Sequence, residues 1–167
     1  EKSNFLLRTT LLNPFSSAAF FWVDIGIFRN SSDMSRFESW PRCEKVEMLP
    51  RDKIVVLLVE AFSADELAAP PDEESLGVDL FYTNRIGGGI IGGYTSAVKT
   101  WHREYYAMLS RYMQAARFAG KDQSIMASVC LQKSHVCEMV QPPSHWNLVS
   151  KTQTFQNPWF YLQDYLL

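Results

Sequence analysis

The sequence predicts an α/β fold, and the prediction depends on two apolar segments and one long amphipathic helix. Segments 19–28 and 53–60 are short, continuously apolar and rich in aromatic and β-branched residues, which is typical of strands covered on both faces. Segment 95–119 instead repeats its apolar residues at helical spacing. Because strands and helices alternate without internal repeats, we predict a single α/β domain over residues 1–167.

Helix caps and chain breakers place the other helices. Residues 1–12 have the spacing of a short amphipathic helix, and an Asn-Pro pair directly after it would end the helix. The long helix is predicted to begin with Thr95 or Ser96 as its N-cap and to end at Gly120. A second helix is predicted over 122–131.

Four further segments complete the prediction. A third strand is expected over 78–84, and it would run into the glycine-rich segment 85–93. Segment 60–79 contains seven acidic residues and no lysine or arginine, which is typical of a solvated loop. The mixed-charge segment 29–51 is predicted as loop with one short helix, and a short packed helix is expected after Pro158.

The composition is that of a globular protein. Of the 167 residues, 47% are hydrophobic and 20% are charged, which excludes the disordered, collagen-like and coiled-coil classes. The net charge of -2 does not favour nucleic acid as a partner. No apolar run approaches the roughly 20 residues that cross a bilayer, and no segment has the pattern of a signal peptide. Since the first residue is Glu1 and not Met, we expect the chain to be a segment of a longer protein.

The cysteines give an expectation about the redox compartment. Three cysteines cannot all pair within one chain, and Cys43, Cys130 and Cys137 contain no CxxC spacing. This pattern argues against a disulfide framework and against a structural zinc site. A reducing compartment is therefore favoured.

Asp24 is the first candidate site residue. It lies among the apolar residues of segment 19–28, where an ionised carboxylate would be costly to bury without a partner. We therefore expect it at the carboxyl end of the strand, where open α/β sheets bind ligands, and Gly26 would let a ligand come close. Two interpretations stay open. Asp24 either caps a turn or pairs with a residue such as Arg29, or it binds a metal ion or a sugar.

The glycine run is the second candidate. Residues 87–92 match the pattern G-x-G-x-x-G, with a helix after them. We reject a dinucleotide site because that helix is too long, no strand with a terminal acidic residue follows at the right distance, and Ile90-Ile91 is typical of a strand. Gly87, Gly88 and Gly89 are instead predicted to lie at a strand end beside a cleft, where absent side chains leave room for a bulky ligand. The alternative is a bulge packed tightly against a helix.

A third candidate lies between the two predicted helices. In Gly120-Lys121-Asp122-Gln123, glycine would end one helix and aspartate would cap the next, which requires no function. A helix start that faces a cleft also favours anions, and the carboxylate and amide here would suit hydroxyl groups. His145 lies on a loop after the last core element, where it is either incidental or within reach of a metal ion.

Four basic residues lie nearly opposite the buried stripe of the long helix. They form either a solvated face or a patch for phosphate or an anionic membrane surface. These residues are Lys99, Arg103, Arg117 and Lys121.

Three segments together resemble the HtrL/YibB-like proteins. The resemblance covers most of the chain, in order and spacing: Asn13-Pro14-Phe15 with segment 21–29 (FWVDIGIFR), then segment 87–93, then segment 120–123. That family is associated with gene clusters for bacterial lipopolysaccharide core and surface glycans, has scattered eukaryotic members, and is similar in organisation to GT-A glycosyltransferases. The resemblance implies a GT-A-like mixed sheet flanked by helices, and transfer of a sugar from a nucleotide-diphosphate donor to a glycan acceptor.

The resemblance also implies roles for individual residues. Asp24 would occupy the place of the D-x-D strand end that holds a divalent cation, Mn²⁺ or Mg²⁺, and the donor diphosphate. This sequence departs from that pattern because Gly26 replaces the second carboxylate. A metal site with one carboxylate would either need help from His145 or be weak or absent. Asp122 would be the carboxylate near the reacting centre, as a base or as a ligand of a sugar hydroxyl.

The remaining roles concern the two substrates. Gly87, Gly88 and Gly89 would flank the acceptor and the donor sugar. Lys121 and Gln123 would line the donor pocket beside Asp122. The segment after the first strand contributes Arg29, whose bidentate fork suits a phosphate.

GT-A domains bind the nucleotide with an amino-terminal βαβ half, and no such half precedes residues 1–12 here. The chain is therefore expected to be the C-terminal part of a longer GT-A-like domain. The expected partners are a nucleotide-sugar donor and a glycan acceptor, with a peripheral membrane contact, in the cytoplasm or at the inner membrane of a bacterium. A non-catalytic glycan-binding or scaffold protein with a degenerate metal site is the main alternative, and a nicotinamide-dependent oxidoreductase is the weakest.

Overall fold

A four-stranded mixed sheet with helices on both faces forms the structure, a computed structural model that describes residues 1–28, 35–144 and 157–167. The predicted α/β class is confirmed. In chain order the elements are α1 (Lys2–Leu12), β1 (Ala19–Val23), α2 (Cys43–Glu47), β2 (Ile54–Leu58), α3 (Ala64–Ala68), β3 (Ile86–Tyr94), α4 (Thr95–Gln114), α5 (Asp122–Gln132), β4 (Cys137–Val140) and α6 (Tyr161–Tyr165), with 3₁₀ turns at Ser134–Val136 and Pro158–Phe160.

The strand order is β1-β3-β2-β4. Two of the three pairings are antiparallel, with β3 between β1 and β2, and β4 adds to β2 in the parallel direction. All five residues of β2 are buried, as their continuous apolar character predicts for an inner strand. In β1, an edge strand, only Phe20 is fully buried. Both faces of β1 are nevertheless covered as predicted, since Phe20 and Trp22 pack into one apolar layer and Ala19, Phe21 and Val23 pack against the other.

Apolar side chains fill a layer on each face of the sheet. Ile54, Val56 and Leu58 of β2 pack into the layer that includes α1, α4 and α5. Val55 and Leu57 point to the opposite layer, which includes residues of α6. Since neighbouring residues of one strand enter different layers, β2 joins the two layers into one folded unit.

The third strand does not lie where the sequence predicts it. Residues 78–84 form turns, because the Asp79 side chain accepts a hydrogen bond of 3.0 Å from the Phe81 amide. The strand is the glycine run itself, since β3 starts at Ile86 and extends for nine residues. A strand that spans the G-x-G-x-x-G pattern is not the strand-to-helix turn of a dinucleotide site.

The long helix ends earlier than predicted. It stops at Gln114, and Ala116 adopts the left-handed conformation with φ of 52°. Gly120 is therefore not its terminal glycine. At the start, Tyr94 and not Thr95 or Ser96 is the N-cap, and at the next helix Asp122 is the first helical residue after the N-cap Lys121.

The acidic segment is more ordered than predicted. It contains α3, whose N-cap Ser63 and third residue Glu66 form a capping box. The Glu66 side chain is buried and pairs with Arg85 at 3.0 Å. This ion pair anchors α3 to the chain just before β3, whereas most of the other residues of the segment are exposed loop as predicted.

The cysteine expectation was also wrong. Cys130 and Cys137 form a disulfide, and Cys43 is free and exposed. The pair spans only seven residues, because a short 3₁₀ turn returns the chain from the end of α5 to the start of β4. The argument for a reducing compartment thereby falls, since disulfides persist mainly in oxidising compartments. Among the residues that the structure describes, no helix has the length and apolar character needed to cross a membrane.

Candidate functional site

The ends of β1, α1 and α5 converge on one open cleft at the glycine-rich strand. The cleft has a volume of about 450 Å³, within the range of ordinary ligand sites. Its described lining residues are Lys2, Asp24, Gly26, Ile27, Gly88, Gly89, Asp122, Gln123, Asn157, Trp159 and Phe160.

Asp24 directly follows β1, at the strand end where the sequence predicts it. Its amide donates a hydrogen bond of 2.8 Å to the carbonyl of Gly89, and its carbonyl accepts one of 2.9 Å from Ile27. Oδ1 accepts a hydrogen bond of 2.7 Å from the indole of Trp22, whose ring stacks on Phe5. The carboxylate is therefore fixed by its own strand and by α1, and part of it still faces the cleft.

Lys2 brings the two acidic residues of the cleft together. Its Nζ lies 3.0 Å from Oδ2 of Asp24 and 3.5 Å from Oδ2 of Asp122, and it donates a hydrogen bond of 2.8 Å to the carbonyl of Gly88. Lys2 occupies the first turn of α1, which packs against α4 and β1. The docking of that helix therefore sets the position of the ammonium group.

Asp122 starts α5 and is oriented by the helix itself. Its Oδ1 accepts a hydrogen bond of 2.9 Å from the amide of Gln123, and a negative charge in the first turn is favourable with the helix dipole. Oδ2 faces Lys2. The Gln123 side chain lies beside it along the same wall.

Two glycines of β3 form the floor of the cleft. A Cβ at Gly88 would lie 3.3 Å from Nζ of Lys2 and 3.5 Å from Oδ2 of Asp122. A Cβ at Gly89 would lie 2.7 Å from Cδ1 of Ile27, closer than van der Waals contact. At Gly88 the absence of a side chain lets the charged groups of α1 and α5 approach the strand, and at Gly89 it leaves room for Ile27.

Tyr105 of α4 is buried behind this wall. Burial, and in second place the negative charge of Asp122, raises the pKa of the Tyr105 phenol well above its ordinary value. The phenol therefore stays protonated at neutral pH and is not a candidate base.

The structure brings together five of the residues that the sequence singled out. Asp24, Gly88, Gly89, Asp122 and Gln123 all line the cleft, although they lie on three elements far apart in the chain. Their convergence is the spatial arrangement that the transferase hypothesis requires.

Two predicted residues lie elsewhere, and two lie outside the described residues. A Cβ at Gly87 would face the side chains of Leu57 and Val59 and not the cleft. Lys121 donates hydrogen bonds to the carbonyls of Phe81 and Thr83, so it tethers a loop and does not line the donor pocket. Arg29 and His145 fall within 29–34 and 145–156, of which the structure gives no description.

The cleft residues do not fit the divalent cation that the resemblance implies. In the described ranges, no group of three or more histidine, cysteine or acidic side chains could hold a metal ion. The two carboxylates instead share the ammonium of Lys2, and Gly26 supplies no ligand side chain. We therefore assign no step of the chemistry to a metal.

Sequence reasoning missed Lys2 and the aromatic wall of the cleft. Lys2 begins a helix at a position where a solvated lysine is ordinary, and its partners are distant in sequence. Trp159 and Phe160 are predicted only as part of the packed helix after Pro158, yet they also line the cleft. No local spacing identifies such contacts.

The predicted basic face is divided between two environments. Lys99 and Arg103 lie on α4, whereas Arg117 follows the helix and donates hydrogen bonds to the carbonyls of Leu76 and Gly77. Lys121 likewise donates its hydrogen bonds to backbone carbonyls. These two cations hold the loop that precedes β3.

Comparison of the chain with protein-family models, with curated proteins and with solved structures gave no match. The resemblance to the HtrL/YibB-like proteins therefore stays a prediction that depends on the three sequence segments and, for its function, on the geometry of this cleft.

Proposed function

We propose that the chain is a glycosyltransferase-like protein that transfers a sugar from a nucleotide-diphosphate donor to a glycan acceptor at this cleft. The convergence of Asp24 and Asp122 on one ammonium group, from segments far apart in the chain, carries the proposal. A GT-A-like organisation belongs to the same proposal, and the observed mixed sheet with helices on both faces is compatible with it.

The chemistry of the lining suits a polyhydroxylated ligand. Carboxylate oxygens and the Gln123 amide accept or donate hydrogen bonds to sugar hydroxyls. The rings of Trp159 and Phe160 offer apolar area to the carbon face of a sugar.

Asp122 is the base in this proposal. Its side chain is 38% exposed, so an acceptor hydroxyl can approach the carboxylate, which takes the proton as the hydroxyl oxygen attacks the anomeric carbon. Asp24 is held by the Trp22 indole and Lys2 and binds a hydroxyl of the donor sugar. The nucleoside diphosphate leaves with the electrons of the broken glycosidic bond.

Donor cleavage tests the proposal without knowledge of the acceptor. Uridine- and guanosine-diphosphate sugars are incubated with the protein, and release of nucleoside diphosphate is measured for wild type, Asp24→Asn and Asp122→Asn. We expect release by wild type and loss of release in both variants, with melting temperatures within a few degrees. Asp52→Asn is the matched control, since Asp52 is exposed and remote from the cleft lining.

Wild-type release rates in Asp24→Asn and Asp122→Asn would remove these residues from the mechanism. No release by wild type with any donor would instead favour the second candidate.

That second candidate is a glycan-binding protein without transferase activity. The observation in its favour is that the Lys2 ammonium already neutralises one of the two carboxylate charges. Among the described residues, no cluster of side chains could hold a metal ion that would bind a diphosphate. Calorimetry with oligosaccharides and with uridine diphosphate separates the candidates. Binding of an oligosaccharide alone supports the scaffold, and binding of both supports the transferase.

A further inference from the structure

Three oxygen atoms from three elements surround the ammonium group of Lys2. They belong to the Asp24 carboxylate after β1, to the Gly88 carbonyl of β3 and to the Asp122 carboxylate of α5, at 3.0, 2.8 and 3.5 Å from Nζ. Carboxylate and carbonyl oxygens are also the ligands that hard divalent cations prefer. The cleft therefore has the oxygen arrangement of a cation site, with a side-chain ammonium at its centre.

We propose that Lys2 is the resident cation of this cleft, and that it holds the two carboxylates in place of a divalent metal ion. Of its three donors, the ammonium group donates hydrogen bonds to Asp24 and Gly88, and it forms an ion pair with Asp122 at 3.5 Å. The side chain is 27% exposed, and the first turn of a packed helix sets its position. A divalent ion bound to the same oxygens would lie against a positive charge, which opposes its binding.

The neighbouring groups do not offer a substitute for the ammonium. Gly26 and Gly89 add no charge to the lining, and Gln123 and Asn157 are neutral amides. Of the described lining residues, Lys2 alone is positively charged. Loss of its charge would leave two carboxylates and a carbonyl facing one another across the space that Nζ fills.

Lys2→Met provides the test, because methionine keeps most of the aliphatic stem and removes the charge. Manganese ion alone is titrated into each protein, and free Mn²⁺ is measured by electron paramagnetic resonance. We expect Lys2→Met to bind Mn²⁺ at least about tenfold more tightly than wild type, because a positive charge at contact distance has been removed. Lys2→Arg is the matched control and should resemble wild type.

The double variant Lys2→Met with Asp24→Asn locates the new site. It should lose the Mn²⁺ affinity that Lys2→Met gained. Affinity retained in the double variant would place the ion elsewhere and overturn the proposal, as would wild-type affinity equal to that of Lys2→Met.

Circular dichroism and the melting temperature show whether each variant is folded. If Lys2→Met and Lys2→Ala both fail to fold, the wild-type titration decides alone. Mn²⁺ binding to wild type that Asp24→Asn abolishes overturns the proposal, and its absence supports it. Since the readout is cation binding, this result is independent of whether the protein transfers a sugar.

Discussion

Gly88 and Gly92 lie in the same strand, but a methyl group would have different consequences at the two positions. At Gly92 a Cβ would collide with the carbonyl of Phe20 and the ring of Phe21, its partner across the sheet. The backbone at Gly92 cannot shift to avoid this collision without disturbing the β1–β3 pairing. At Gly88 the Cβ would meet the mobile end of Lys2 at 3.3 Å, which can move aside.

We therefore predict that Gly92→Ala lowers the free energy of unfolding by about 3 kcal/mol, the upper range for overpacking. Gly88→Ala should cost much less, and its main effect should be a loss of ligand affinity or donor cleavage through displaced Lys2 and Asp122. Urea denaturation followed by circular dichroism measures both. Equal destabilisation by the two substitutions would contradict this distinction.

The residues of the site differ in how far the sequence could reveal them. Asp24 is recognisable in the sequence because burying a carboxylate within an apolar strand is costly, and it lies at the strand end as predicted. Lys2 gave no such signal, because a lysine at the start of a helix is ordinary and its three partners come from distant segments. A local sequence pattern can reveal an unusual residue, such as a carboxylate in an apolar strand. It cannot reveal a partner that only tertiary packing brings close.

At the scale of elements, the disulfide ties the end of α5 to β4, the edge strand farthest from β1. Both cysteines are buried. By the chain-entropy relation, a cross-link over so short a loop stabilises the fold by about 2.5 kcal/mol. Because the start of α5 holds Asp122, this link also braces one wall of the cleft.

We predict that the double variant Cys130→Ala with Cys137→Ala loses about 2 kcal/mol of unfolding free energy. Cys43→Ala should leave stability unchanged, since Cys43 is exposed and unpaired. Thiol titration of the denatured, unreduced protein should detect a single reactive cysteine. Three reactive thiols in protein purified under non-reducing conditions would contradict the pairing.

Glu104 links α4 to the end of α5 through Lys133, and it also pairs with Arg103 at 2.8 Å. Burial alone would raise the pKa of Glu104, but the hydrogen bonds and charges of Lys133 and Arg103 outweigh it and lower the pKa below the ordinary value of 4.5. A lowered pKa means that the carboxylate stabilises the fold above the unfolded-state pKa. That stability is lost as the pH falls through the lower folded-state value.

Glu104→Gln should therefore destabilise the protein at pH 7 and reduce its loss of stability in acid. Urea denaturation between pH 7 and pH 3 measures this, with Glu73→Gln as an exposed control. The curves of wild type and Glu104→Gln should converge as the pH falls through the lowered pKa of the Glu104 carboxyl. Parallel curves over the whole range would contradict a contribution from this group.

The helices and strands also differ in how far the sequence predicts them. β2 was predictable because five consecutive apolar residues require cover on both faces, and α1 because an Asn-Pro pair follows it. The sequence places the third strand too early in the chain because glycine has a low strand propensity. In the structure, Ile86 and the pair Ile90-Ile91 outweigh that low propensity. β4 was missed because four residues are too few for a periodic pattern.

At the scale of the whole molecule, the two apolar layers share the sheet. Leu166 packs into the layer beneath α6, and Ile125 of α5 packs into the layer on the other face. Both side chains are 0% exposed. Because consecutive residues of β2 enter the two layers, loss of packing in one layer weakens the strand that supports the other.

Leu166→Ala and Ile125→Ala should therefore each lower the unfolding free energy by about 3 kcal/mol, through lost burial and the cavity left behind. Each variant should still unfold in a single transition, with circular dichroism and tryptophan fluorescence giving the same midpoint in urea. Leu12→Ala is the control, since Leu12 is 80% exposed. If the two probes separated in Leu166→Ala, the layer beneath α6 would unfold on its own, and the prediction of one domain over residues 1–167 would be wrong.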